Sequence, residues 1–222
     1  MIYFEKSQSA PDCLEKEKLK VSGDYKCGCV LERLKNDFKN KCYICESKAM
    51  TGINVEHFKS HQGDIDLKFD WDNLFFACGH CNNTKLAKFD DILNCTDLND
   101  DVENALKYEF KPFPYELVTI ETLNNNPRTI KTKELLLAVF NGTTKLKIIE
   151  SDNLRTELLN EIRDYQRHLC DYYETHDVED KNYSLRKIKS HLHAASAFTA
   201  FKRQVIKDNS TLLAEFGCYI HG

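Results

Sequence analysis

Lys41-Cys42-Tyr43-Ile44-Cys45-Glu46 and Cys78-Gly79-His80-Cys81-Asn82-Asn83-Thr84-Lys85 frame the most informative stretch of this chain. Each segment leaves two residues between its cysteines. That spacing lets both sulfurs of a tight turn face one ion, and two such turns complete a tetrahedron. The 32 residues between Cys45 and Cys78 exceed the usual gap of roughly 15–20 in a simple ribbon, so the insert must carry something else. A shell of Cys42, Cys45, Cys78 and Cys81 leaves no open position, so the zinc expected there is structural. Such an ion is typically worth ~10–16 kcal/mol at neutral pH. A short insert cannot obtain that much from its own core, so the segment is expected to need the metal in order to fold. His80 lies between two ligands and is read as exposed on the knuckle.

Outward from this stretch the chain is ordinary. It has 222 residues, 41% hydrophobic and 30% charged, which is neither disordered nor fibrous composition. Its longest apolar run, Leu135 to Phe140, is six residues, against the roughly 20 needed to span a bilayer. Glu5 and Lys6 interrupt any apolar leader core. A cytoplasmic, reducing compartment is therefore expected. There, closely spaced cysteines bind metal more often than they pair. Of the ten cysteines, Cys27-Gly28-Cys29 has a one-residue gap that suits zinc poorly and is read as structural, while Cys13, Cys95, Cys170 and Cys218 are read as isolated reduced thiols. The formal charge of −4 excludes a globally basic nucleic-acid binder but not a locally basic face.

Three regions follow from the patterning. Residues 1–37 form a helical lead, in which Val30, Leu31, Leu34 and Phe38 recur at helical spacing. Residues 38–90 hold the cysteine pairs, a short strand from Ile53 to Phe58, a polar loop and a helix starting near Asn82. Residues 91–222 are mainly helical. They open with an acidic stretch from Asp90 to Glu116, read as a solvated connecting face. Lys111-Pro112-Phe113-Pro114 cannot continue a helix, and Asn124-Asn125-Asn126-Pro127 marks a turn. Apolar stripes then run through Leu135–Phe140, through Leu154–Tyr172 behind Ser151-Asp152 as a cap, and through Leu185–Ala200. The expected fold class is α+β and predominantly α.

The insert carries Val55-Glu56-His57-Phe58 and Asp72-Asn73-Leu74, and the second knuckle runs on into Asn82 and Lys85. Glu and Asn offer the oxygen ligands that suit a hard cation such as Mg²⁺. A histidine of ordinary pKa is a competent general base near neutrality. A strand alternates faces, so Glu56 and His57 reach one cleft only if the strand twists at its end.

This ordered set resembles the HNH nuclease family, whose fold is a zinc-braced ββα-metal unit. The resemblance covers roughly residues 38–90. It implies that His57 is the general base, that Glu56 and Asn82 hold a catalytic Mg²⁺ or Mn²⁺, that Asn73 ties the loop and orients the base, and that Lys85 contacts a phosphate. The opening Met1-Ile2-Tyr3 with Lys6 and Pro11, the helix running into Asp37-Phe38-Lys39-Asn40-Lys41-Cys42, and the helical tail extend the similarity to the HNH subunits of Septu-type and retron-linked anti-phage systems. Those subunits act with an ATPase, and this chain has no Gly-x4-Gly-Lys-Ser/Thr phosphate loop of its own. Two positions depart from the pattern: Ser60 stands where a proline is common and Leu86 where a glycine is common.

The function expected is metal-dependent hydrolysis of nucleic-acid phosphodiesters, with DNA as the first substrate. A stand-alone restriction-like nuclease, an RNA (tRNA) nuclease and a non-catalytic zinc module stay open. A basic stretch from Lys181 to Lys207 has seven Lys or Arg and no acid. Its Arg186, Lys187 and Lys189 are candidates for holding a nucleic-acid backbone, or alternatively for docking an acidic protein partner.

Overall fold

The lead folds where its apolar spacing predicts. Helix α2 (Gly28–Asp37) buries Val30 and Leu34, whereas Leu31 stays partly exposed. Before it comes a short helix, α1 (Asp12–Lys18), which buries only Leu14. The computed structural model describes residues 1–50 and 52–220. Among these the chain is mostly helical, with two separate two-stranded antiparallel sheets. The first sheet pairs β1 (Ile53–His57) with β2 (Leu74–Cys78) in the register Ile53 opposite Cys78 and His57 opposite Leu74. A one-turn helix, α3 (Ile65–Lys68), lies in the connection, and β2 runs straight into α4 (Gly79–Lys85).

A one-turn helix, α5 (Val102–Ala105), leads into a hairpin that the helical expectation for this region does not include: β3 (Leu106–Lys111) and β4 (Leu117–Thr122). The Lys111–Pro114 stretch is its turn rather than a helix stop. The acidic stretch before it is only partly solvated. Asp100 takes a two-pronged ion pair from Arg128, and Glu103 pairs with Arg203 at 2.8 Å.

Asn126 caps α6 (Pro127–Asn141), accepting from the Arg128 N–H, with Pro127 in the first turn where a missing N–H costs nothing. Gly142 ends the helix at φ +72°, and a Cβ there would meet the Ile148 backbone at 2.6 Å. Helix α7 (Lys145–Glu174) starts at a Thr144 cap, well ahead of the expected Ser151. Ser151 instead lies buried inside the helix, and its hydroxyl donates to the Val139 carbonyl at 2.8 Å. The last expected stripe splits into α8 (Val178–Leu192) and α9 (Thr199–Lys207), and α10 (Ser210–Phe216) follows near the end of the described chain.

One buried apolar cluster takes in Phe4, Leu34, Tyr43, Phe75, Phe140 and Phe201, so the lead, the knuckle segment and the later helices share a core. A smaller cluster around Tyr165, Ile188 and Phe216 joins α7, α8, α9 and α10. The first knuckle is tied into the shared core by charge. Glu46 is buried between Lys41 and the Met1 ammonium, each at 3.3 Å, and accepts from the Ala200 N–H. Burial alone would raise its carboxyl, but the two cations outweigh that and hold it at about 2. Held below the ordinary carboxylate value of ~4.3, this group adds stability above that pH and loses it as pH falls toward 2. Glu46→Gln would strand two buried cations. It is expected to lower the unfolding free energy by about 3–5 kcal/mol, measured by urea denaturation at neutral pH.

Candidate functional site

The four knuckle cysteines meet as their spacing requires. Cys42, Cys45, Cys78 and Cys81 are all buried and their sulfurs cluster within reach of one ion. Cys45 Sγ and Cys78 Sγ lie 4.0 Å apart, close to the ~3.8 Å edge of a tetrahedron with ~2.3 Å zinc–sulfur bonds. Local hydrogen bonds build both turns. Glu46 N–H donates to Cys42 O at 2.9 Å in the first, and Cys81 N–H donates to Cys78 Sγ at 3.4 Å in the second. Tyr43 N–H donates to Phe76 O, which lays the first knuckle along β2. The cluster can hold a structural metal such as zinc, and the β1–β2 hairpin and α4 are built around it.

His80 departs from expectation. It is not exposed on the knuckle. Nδ1 lies 2.8 Å from Glu150 and Nε2 lies 2.8 Å from the Val139 carbonyl, so the ring clips the second knuckle onto α6 and α7.

His57 ends β1 half-buried. Its Nε2 lies 2.9 Å from the Lys68 carbonyl. A carbonyl only accepts, so Nε2 carries the hydrogen and Nδ1 keeps its lone pair. Tyr25 and His61 pack on the ring, with centroids at 4.4 and 4.7 Å. Burial, opposed by the Lys68 carbonyl, lowers the pKa of His57 below its ordinary value, which keeps the ring neutral at physiological pH. No motif or spacing points to Tyr25, which reaches the site from the lead.

Asn73 makes the contacts expected of a loop tie. Buried at the start of β2, it accepts from Lys59 N–H at 2.7 Å through Oδ1. Through Nδ2 it donates to the Lys59 and Leu67 carbonyls at 3.0 Å each. Leu67 precedes the residue whose carbonyl holds His57, so the amide fixes both ends of the loop around the imidazole.

Glu56 and Lys85 sit differently from expectation. Glu56 faces the interior, 5% exposed, and its Oε1 pairs with Lys85 Nζ at 2.7 Å. Burial, incompletely offset by Lys85, pushes its carboxyl up to about 7. Lys85, expected at a phosphate, is 1% exposed and also reaches the His57 carbonyl at 3.2 Å and Asp90 at 3.5 Å. Its ammonium is thus committed inside the protein. Among the described residues, Glu56 Oε2 is buried short of a well-formed hydrogen bond, with the buried Tyr43 hydroxyl as the carboxylate's other polar neighbour, and the partly exposed Asn82 side chain makes no hydrogen bond.

Ser60 and Leu86 each sit in a distinctive backbone setting. Ser60 N–H donates to Asp90 at 3.0 Å, a bond that a proline could not make. Leu86 holds φ +43° and ψ −162°, backbone that favours glycine and is strained for leucine.

Arg186, Lys187 and Lys189 lie on α8, beside a cleft of about 1050 Å³ that Arg186 and Lys189 line together with Lys48, Glu157 and His193. Lys181 is also exposed, but Lys202, Arg203 and Lys207 are not a free surface. Lys202 is buried against Glu161 at 2.6 Å, Arg203 pairs with Glu103, and Lys207 donates to the Glu103 carbonyl.

No protein-family model matches the chain, and no curated protein matches it. No helix among the described residues is long and apolar enough to cross a membrane.

Proposed function

We propose that this chain is a metal-dependent HNH-type endonuclease, with the effector nucleases of Septu-type anti-phage systems as its nearest functional model and an ATPase subunit as its partner. The observation that carries this reading is the state of His57. A strand-end imidazole is locked by a backbone carbonyl so that Nδ1 is a free base, and it stands on a hairpin braced by a four-thiolate cluster.

In the proposed reaction His57 Nδ1 takes a proton from the attacking water. Asn73 keeps the loop around the ring in place. The oxygen-donor chemistry of Glu56 and of the uncommitted Asn82 amide suits a hard divalent cation, and such a cation would polarise the scissile phosphate and stabilise the leaving oxygen. Binding it requires Glu56 to be shared between that cation and Lys85.

A cleavage assay with Mg²⁺ or Mn²⁺ on supercoiled plasmid and on total RNA, with and without the ATPase subunit, tests the reading. Nicking that EDTA stops is the expected result, and the substrate cut decides between DNA and RNA. The Glu56–Lys85 pair favours a second reading, a zinc-braced binding module without chemistry. Binding with no cleavage in any of these conditions would establish that one instead.

The basic face of α8 supplies a further expectation. Reversing Arg186, Lys187 and Lys189 to Glu should weaken nucleic-acid binding and flatten its salt dependence, by a slope of about 0.9 for each phosphate that is no longer neutralised. Fluorescence anisotropy across a salt series reads this. An unchanged slope would assign the face to a protein partner.

A further inference from the structure

Cys13, Cys27 and Cys29 come from two helices and a loop, yet their sulfurs gather within 4.8 Å of one another. Neither the four-cysteine cluster nor the His57 site uses them. We propose that these three cysteines form a second metal site, a three-thiolate zinc site whose fourth position is open to solvent.

In the structure Cys13 and Cys29 are joined as a disulfide, with Cys27 Sγ 2.8 Å from Cys13 Sγ and 3.9 Å from Cys29 Sγ. Two features favour a metal as the working state. The Cα atoms of Cys13 and Cys29 are 6.7 Å apart, at the far end of the ~4.4–6.8 Å range that disulfides span. The Cys27–Cys29 sulfur separation is close to the ~3.8 Å edge of a tetrahedral zinc site, whereas Cys13 Sγ, bonded to Cys29 and 2.8 Å from Cys27 Sγ, would move outward to complete the set once the bond is reduced. A third cysteine beside the bonded pair is not needed to hold the disulfide, and it supplies the third ligand of a metal.

The surroundings also suit a dication. Cys27 caps the ten-residue helix α2 and Cys29 stands in its first turn. Glu17 and Asp24 add negative potential at Cys27. All three cysteines are partly exposed, so an ion has a way in. The chemistry balances simply. A phosphine or thiol reductant supplies the two electrons that open the Cys13–Cys29 bond to two thiols. Three thiols then release three protons as they bind one Zn²⁺.

The position explains what such a site would do. Helix α1 buries Leu14 alone, and Leu19 and Val21 beyond it are fully exposed, so α1 and the loop after it have little core of their own. A metal crosslink would staple α1 to α2. It would also fix the loop that places Tyr25, two residues before Cys27, on the His57 ring.

Metal content of the full chain, purified under a phosphine reductant with zinc present, tests the proposal without any activity measurement. The expected result is two zinc per chain with all ten cysteines reduced. Cys13→Ser, Cys27→Ser and Cys29→Ser should each give one, and Cys218→Ser, at an exposed and isolated position, should keep two. A cobalt titration of the wild type provides a second reading, its thiolate charge-transfer band saturating at two equivalents. Saturation at one equivalent, or one zinc in a fully reduced wild type, would overturn the site. So would a Cys13–Cys29 bond that peptide mapping finds intact under reductant.

Discussion

Removing the ion from Cys42, Cys45, Cys78 and Cys81 is expected to unfold the chain from residue 1 to residue 201, not the hairpin alone. A structural zinc site is worth about 10–16 kcal/mol at neutral pH, and a domain of this kind has a total stability of about 5–15 kcal/mol. The two ranges overlap, so little or no reserve remains once the ion leaves. The effect spreads because the four cysteines belong to the same buried cluster as Phe4, Leu34, Phe140 and Phe201. Tyr43 and Phe75, whose rings pack at 4.9 Å, lie beside the knuckles in the middle of it. A strong zinc chelator at 25 °C should abolish most of the helical circular-dichroism signal, and Cys81→Ser should not accumulate as folded protein. A metal-free chain that melts at the wild-type temperature would show the cluster to be an ordinary set of buried thiols.

The legibility of these features in the sequence follows from range. The knuckles, β1 and the Asp-Asn turn are readable because their signals are local, whereas β2, buried along its whole length, shows no alternation to mark it as a strand. The β3–β4 hairpin is equally local. Leu106, Tyr108 and Phe110 alternate with polar residues, as do Val118 and Ile120, but the surrounding acids and prolines obscure that period of two. The start of α7 is hidden for a different reason. Ser151 looks like a cap until its hydroxyl is seen bonded to Val139 of the preceding helix. The burial of Lys85, the seating of Tyr25 on His57, the clip made by His80 and the gathering of Cys13, Cys27 and Cys29 are long-range facts. They depend on which elements pack together, and residue spacing along the chain does not encode that.

His57→Ala is the second large effect, and its pH behaviour makes it diagnostic. Loss of a general base typically costs ~10²–10⁴-fold in rate, here with the zinc content unchanged, because the ring is not part of the four-cysteine cluster. The wild-type rate should rise with pH as the imidazole loses its proton and then level off. Burial lowers the pKa of His57, so its own step in that rise should fall below the ordinary histidine value of ~6.5, separate from the step that Glu56, held at about 7, contributes. Asn73→Ala supplies the second arm. It frees the Lys59 and Leu67 carbonyls and so loosens the Lys68 carbonyl that holds Nε2. A smaller rate loss is expected, with a displaced pH limb, since in the proposed reaction Asn73 acts only through the loop that holds His57. If His57→Ala cuts at the wild-type rate, the proton acceptor lies elsewhere and the zinc-braced hairpin is a scaffold.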